Sequence, residues 1–162
     1  RDAVRSVAQL TSVRAQEGGL DLTIDIPADI PLLRGDERKT MQIVLNLVTN
    51  AIKFSPAGGS IGIVCRTDPR EGLSVTVTDT GIGIAQDDLG RVLEAFEQVD
   101  SSLSRKQQGT GLGLPLVRAM MELHGGRFVL DSTVGLGTKA KIIFPRERIV
   151  DPAETAQIGI AA

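Results

Sequence analysis

Between Ser60 and Asp79 the chain alternates apolar and polar residues twice, as SIGIVCRT and LSVTVTD, around a DPREG break. A period of two marks a strand with one buried face, and a break of this length joins antiparallel neighbours. The segment therefore reads as a hairpin whose apolar side needs a cover. The flanking sequence offers helices for that cover.

Residues 1–17 place Val4, Val7, Ala8 and Thr11 on one helical face, and Gly18-Gly19 ends the run. No evident cap opens this helix, as expected of a piece of a longer chain. LDLTIDIP, residues 20–27, alternates as a half-buried strand. After a Pro-bearing loop, Asp36 caps a helix over about 37–54, with Met41, Val44, Leu45, Val48 and Ile52 as its apolar stripe. SPAGG, residues 55–59, is a turn.

Beyond the hairpin, residues 86–90 suit a short helix. Residues 91–110 keep no period and read as a long loop, with at most a helical turn near 92–96. A loop of that length in a compact domain is usually functional. A helix over 111–124 would turn Leu116, Ala119, Met120 and Leu123 inward. Strands follow at 127–132 and 139–144, and residues 146–162 read as a loose tail. The order α-β-α-β-β-α-β-β is an α/β (α+β) two-layer sandwich. Its sheet is mixed, mostly antiparallel, and covered on one face by about three helices.

Composition narrows the function. A length of 162 residues suits one domain. Tyr and Trp are absent and Phe occurs four times, so aliphatic side chains build the core. The net charge of −2 makes no electrostatic case for nucleic acid. No apolar run nears the ~20 residues of a membrane span, and no signal peptide opens the chain. The single cysteine, Cys65, forms no intrachain disulfide and reads as a buried strand residue. The single histidine, His124, rules out clustered Cys/His metal ligation. A Ser-His-Asp triad would have to use that one residue.

Four segments carry chemistry. In NLVTNAIKF, residues 46–54, Asn46, Asn50 and Lys53 share one helix face at i, i+4 and i+7. Amide oxygens suit Mg²⁺ and Lys reaches phosphate, although a solvated polar face reads the same way. TDTGIGI, residues 78–84, ends a strand in Asp79. Gly81 and Gly83 then allow close backbone approach, and Ile82 and Ile84 supply apolar wall. The segment is either an ordinary Asp-Gly turn or a carboxylate at a pocket mouth. GTGLGL, residues 109–114, opens a helix. Free N–H groups there attract anions, and Pro115 fits the first turn; the alternative is a hinge. VGLGTKA, residues 134–140, formally matches G-x-G-x-x-A, but a strand follows it, so it reads as a tight strand connection. No Walker A sequence is present.

Taken in order, these segments resemble the catalytic ATP-binding domain of sensor histidine kinases, in the wider group with gyrase, the Hsp90-type chaperones and MutL. NLVTNAIKF resembles the N box, DTGIGI the G1 box, VLEAFEQVDSS the F box and GTGLGL the G2 box. ELHGGRFVLDSTVGLGTKAKIIFP resembles the closing strands. The resemblance spans about residues 1–145, leaving 146–162 as a C-terminal tail, and implies the Bergerat ATP-binding fold.

It also implies roles. Asp79 would bind the adenine amino group, with Gly81, Gly83 and Ile84 beside it and Thr138 framing the site. Asn50, with Asn46 nearby, would hold Mg²⁺, and Lys53 would contact phosphate. Arg105 would meet the γ-phosphate. Gly109, Thr110, Gly111, Leu112 and Gly113 would close a lid over the phosphates, and Phe96 would anchor its other end. The product would be a phosphohistidine on a helical dimerisation and phosphoacceptor domain of the same protein, and a response regulator would be the downstream partner. A monomeric fragment, a homodimeric full-length protein and a cytoplasmic domain are further expectations.

Two features depart from the pattern. Gln108 stands where the family often has the first of two glycines before Thr110. No phosphoacceptor box is present, and His124 in ELHGG reads as a capping or packing residue. The hydrolysing relatives carry a glutamate base one turn before the metal-binding Asn, where this chain has Asn46. An amide has no useful basicity, which favours transfer over hydrolysis. A degenerate domain kept for nucleotide-dependent binding is the other reading.

Overall fold

A computed structural model of the chain describes residues 1–94 and 111–150. Among the described residues three helices, α1 (Asp2–Glu17), α2 (Glu37–Phe54) and α3 (Gly113–Leu123), accompany five strands. The strands are β1 (Asp21–Asp25), β2 (Ser60–Asp68), β3 (Gly72–Asp79), β4 (Arg127–Thr133) and β5 (Gly137–Phe144).

The strands form one sheet in the order β1-β2-β3-β5-β4. β1 runs parallel to β2, the geometry a strand–helix–strand crossover through α2 permits. The other pairings are antiparallel. The last strand does not extend the sheet outward. It inserts between β3 and β4, which places Thr138 opposite Asp79 and opposite Ser132.

The helices cover the face that carries Ile61, Ile63, Cys65, Val75, Val77, Ala140, Ile142 and Phe144, all buried. Each fully buried aliphatic side chain contributes about 1.5–3 kcal/mol relative to exposure. α1 buries Val4, Val7, Ala8 and Thr11 as expected, with Ala15 in addition. It stops where Gly19 adopts φ 66° and the Leu20 N–H bonds back to Ala15 O at 2.9 Å. Asp36 caps α2 by accepting from the Lys39 N–H at 3.1 Å.

Several expectations shift. α2 buries Ile43, Val44, Leu47, Val48 and Ala51, while Met41, Leu45 and Ile52 are only partly buried. The helix packs against both α1 and α3 as well as the sheet, so its buried arc is wide. In α3 the inward residues are Val117 and Met121, with Leu114 and Met120 packed partly against the core. Leu123 is 72% exposed, and Leu116 and Ala119 also face outward. LPLVRAMMEL is apolar nearly all round, so its period alone does not choose a face. β5 starts two residues earlier than expected, at Gly137. The short helix expected at 86–90 is a 3₁₀ turn at Gln86–Asp88, and Arg91–Leu93 forms another. The expected loose tail starts as ordered chain. Ile149 bridges Leu33, and Arg148 Nε donates to the His124 carbonyl at 3.2 Å.

Candidate nucleotide site

Asp79 ends β3 with only 9% of its surface exposed. Its Oδ1 accepts from the Gly81 N–H at 2.8 Å and from the Thr138 N–H at 3.2 Å. Its Oδ2 takes no donor from the described residues and is not among the buried atoms left without a partner. The carboxylate is thus anchored by one oxygen and open at the other. Burial pushes its pKa above the ordinary carboxylate value, and the two N–H donors pull the other way.

The loop after Asp79 is shaped by close backbone approach. A Cβ at Gly81 would lie 2.6 Å from the Phe54 carbonyl oxygen and 2.7 Å from Asp79 Oδ1. At Gly83, where φ is 68°, it would overlap the Thr133 carbonyl oxygen. The Ile82 N–H donates to Phe54 O at 3.1 Å, which ties this loop to the end of α2. The expected glycines are therefore structural necessities of the loop that frames Asp79.

Asn46, Asn50 and Lys53 lie on α2, which ends at the same loop. Asn50 packs on the start of α3: a Cβ at Gly113 would lie 3.1 Å from Asn50 Nδ2. Asn46 Nδ2 is buried with no hydrogen-bond partner among the described residues. Lys53 Nζ sits 4.8 Å from the centroid of the Phe54 ring, a cation–π contact on the helix it belongs to. Gly111 has φ 69°, and Leu112, the N-cap residue of α3, makes no side-chain cap hydrogen bond. Pro115 lies in the first turn, where its missing N–H costs nothing.

The structure brings together Asp79, Gly81, Gly83, Ile84 and Thr138 on one side, and Asn50 with Gly113 on the other. Phe96, Arg105, Gly109 and Thr110 lie outside the described residues.

Sequence reasoning missed Ser132. It is 3% exposed, and its hydroxyl accepts from the Ile84 N–H at 2.8 Å. The same hydroxyl donates to Gly137 O and lies 2.9 Å from Thr138 Oγ1. Gln86 Nε2 donates to its carbonyl at 2.7 Å. A signal was present: Ser132 follows Phe128 and Leu130 in the core-facing phase of β4, where a hydroxyl is out of place.

The residues fit a divalent cation delivered with phosphates. Among the described residues, no cluster of three or more His, Cys, Asp or Glu exists to cage a metal. What is present is a pair of amides one turn apart on α2, whose carbonyl oxygens suit a hard cation, with Asn50 packed against the glycine start of α3 where a Cβ would crowd it. Mg²⁺ is commonly held by one or two protein oxygens plus substrate phosphates and water. His124 lies at the far end of α3. It is buried, with Nδ1 2.7 Å from Met120 O and its ring edge-on to Phe144 at 5.6 Å. The packing role expected of it is what the structure shows.

The family model of histidine kinase-, DNA gyrase B- and HSP90-like ATPases matches residues 35–148. The non-motile and phage-resistance protein of Caulobacter vibrioides is 44% identical over 147 residues, covering 89% of this chain and 17% of that protein. Histidine protein kinase DivJ of the same organism is 39% identical over 145 residues, covering 90% of this chain and 24% of DivJ. The chain thus spans less than a quarter of the length of either relative. A crystal structure of full-length ShkA in complex with AMPPNP superposes with a TM-score of 0.79 at 32% identity, over 89% of this chain and 29% of that one. The mycobacterial sensor histidine kinase MprB superposes at 0.74 with 26% identity, over 89% of this chain and 92% of that one. The chain therefore belongs to the histidine kinase-, DNA gyrase B- and HSP90-like ATPase family, as a sensor histidine kinase ATPase domain of the Bergerat fold.

Proposed function

We propose that this domain binds Mg-ATP and passes the γ-phosphate to a histidine on a helical dimerisation and phosphoacceptor domain. The observation that carries this reading is the half-anchored Asp79 carboxylate, with Oδ1 held by two backbone N–H groups and Oδ2 open. An open oxygen on a largely buried carboxylate is an acceptor for the adenine amino group. The named relative DivJ is a histidine protein kinase, and ShkA binds AMPPNP, which supports the same assignment.

In this reading the purine amino group lies against Asp79 and Thr138, and the phosphates run toward Asn50 and the start of α3. Asn50 and Asn46 would hold Mg²⁺, which supplies charge neutralisation on the phosphate oxygens. The N–H groups at the start of α3 and the Lys53 ammonium would add positive field on the same phosphates. Arg105 and the lid residues from Phe96 to Thr110 would complete the cover. An imidazole nitrogen of the acceptor would bond to the γ-phosphorus as its bond to the β–γ bridging oxygen breaks, leaving ADP. Asn46 cannot take a proton from water as a carboxylate would, so hydrolysis has no base at that position.

We assign the catalytic unit to residues 1–145, with the acceptor domain of a homodimeric full-length protein and a response regulator as partners. A cytoplasmic setting follows from an ATP-consuming role. No helix among the described residues is long and apolar enough to cross a membrane.

Mixing the domain with the acceptor domain of the same protein and γ-labelled ATP tests the proposal. Label on the acceptor histidine, lost with Asp79→Asn, is the expected result. Steady phosphate release without an acceptor would instead indicate a hydrolase. Tight nucleotide binding with no transfer would favour a nucleotide-dependent binding module. Unchanged ATP affinity in Asp79→Asn would overturn the site.

A further inference from the structure

Asp79, Thr138 and Ser132 form a row across three adjacent strands, since Thr138 pairs in register with both of the others. They line an open cleft at this end of the sheet together with outer-face residues such as Asp131 and Lys139, and without Asn50 or α3. The protons in this row are determined by its partners. A serine hydroxyl has one proton to give and two lone pairs to receive. Ser132 Oγ lies 2.9 Å from the Gly137 carbonyl oxygen, which only accepts, so the serine proton goes there. The Ile84 N–H, which only donates, occupies one lone pair at 2.8 Å. The remaining contact, Thr138 Oγ1 at 2.9 Å, must then donate to Ser132. Thr138 has spent its only hydroxyl proton and offers lone pairs alone to anything in the cleft.

Asp79 presents the same face. Its Oδ1 is filled by two backbone N–H groups, and Oδ2 remains as an acceptor. The row therefore shows a ligand acceptors from two residues. We propose that Ser132 is a positioning residue for purine specificity: by taking the Thr138 proton it makes the Asp79–Thr138 row favour a 6-amino purine and reject a 6-oxo purine. This rests on the nucleotide reading of the site.

The reasoning is one of matching. A 6-amino group has two protons, one for Asp79 Oδ2 and one for Thr138 Oγ1, directly or through a water. A 6-oxo group would set lone pairs against lone pairs at both, leaving the N1 proton of such a purine as its one donor on that edge. Sites built on buried hydrogen bonds discriminate far more strongly than apolar pockets, because the mismatched partner leaves polar groups unpaired. Without the Ser132 hydroxyl, the Thr138 O–H is free to rotate and donate to an oxo group. Ser132 also fastens the Ile84 loop, so loss of its side chain acts on structure as well as on proton direction.

The test compares ATP with inosine triphosphate, which carries an oxo group at position 6 and a proton on N1 in place of the amino group and bare N1 of adenine. Calorimetric affinities are measured with Mg²⁺ on the wild-type domain and on Ser132→Ala, Thr138→Val, Thr138→Ser and Asp79→Asn. The wild type is expected to prefer ATP by about a hundredfold or more. Ser132→Ala should narrow that preference by about tenfold, and Thr138→Val should weaken ATP while leaving inosine triphosphate nearly unchanged. Thr138→Ser, which keeps the hydroxyl, should keep the preference. Thr138→Val leaves the bonds of Ser132 to Ile84 and Gly137 intact, so this pair decides the matter if Ser132→Ala does not fold. If Ser132→Ala and Thr138→Val weaken both nucleotides by the same factor, the inference on Ser132 fails. The nucleotide reading would survive that result provided Asp79→Asn still loses ATP. If Asp79→Asn binds ATP as the wild type does, the site reading fails and the Ser132 inference goes with it.

Discussion

Gly113, the first residue of α3, packs directly on Asn50 of α2: a Cβ there would lie 3.1 Å from Asn50 Nδ2. This contact joins the amide face of one helix to the glycine start of another. It explains why a poor helix former begins α3. A side chain at 113 would push on the amide assigned to the cation and stand between the helix N–H groups and an incoming phosphate.

Gly113→Ala should therefore separate stability from binding. Alanine favours a helix more than glycine does, and a shift of a few tenths of an ångström in Asn50 relieves the contact. The melting temperature should hold or rise slightly, while affinity for an ATP analogue falls about fivefold or more. Thermal melts with and without nucleotide would read both. Unchanged affinity would remove Asn50 from the phosphate end of the site.

Gly83→Ala should do the opposite, failing in the fold itself. Its φ of 68° is strained for any side chain, and the added Cβ would overlap the Thr133 carbonyl oxygen. A loss of about 2–4 kcal/mol is expected, a fall in Tm of about 5–15 °C. Gly90→Ala is the matched control, since a Cβ there meets nothing within 4 Å. Equal melting points for the two variants would contradict the loop geometry.

Asp79→Asn should trade binding for stability in a pH-dependent way. Burial raises the folded-state pKa of Asp79, so the folded protein binds more protons than the unfolded chain between the ordinary value and the raised one. Its contribution to stability is complete below the unfolded pKa of about 3.9 and is lost as pH rises through the folded pKa. The amide carries no such term. Wild-type stability should thus decline relative to Asp79→Asn as pH climbs through that window, and the gap should persist at neutral pH. ATP affinity of the variant should fall about 10–100-fold. Parallel stability curves for the two proteins would show that the carboxylate is not desolvated.

His124→Ala should cost about 2 kcal/mol and leave nucleotide affinity unchanged. The ring packs on Phe144 and bonds Met120 O, and the 11 residues of α3 put it about 16 Å from Gly113. Incubation of the isolated domain with labelled ATP should leave no acid-labile phosphate on this residue. Label on His124 would mean that a buried side chain becomes accessible in the nucleotide complex.

Much of the site was legible because its chemistry sits at element ends, where glycine and polar residues break a period. Asp79 closing an alternating strand, and Asn50 beside an apolar helical stripe, are visible without a fold. The inward face of α3 was not, because apolar residues surround that helix and only its contact with the sheet selects Val117 and Met121. Ser132 was not, because one serine in a strand has no meaning until its neighbours are known.

The local sequence by itself determined the three long helical segments, the hairpin, the glycine turns and the residue types of the candidate site, since periodicity and backbone freedom are properties of short segments. The tertiary structure alone decided that β5 inserts between β3 and β4. That single placement brings Thr138 and Ser132 from about 50–60 positions away to Asp79, with hydrogen bonds at 2.9 and 3.2 Å joining the row. Long-range strand pairing is chosen by which apolar faces can be buried together under the helices, and no short stretch of sequence holds that information.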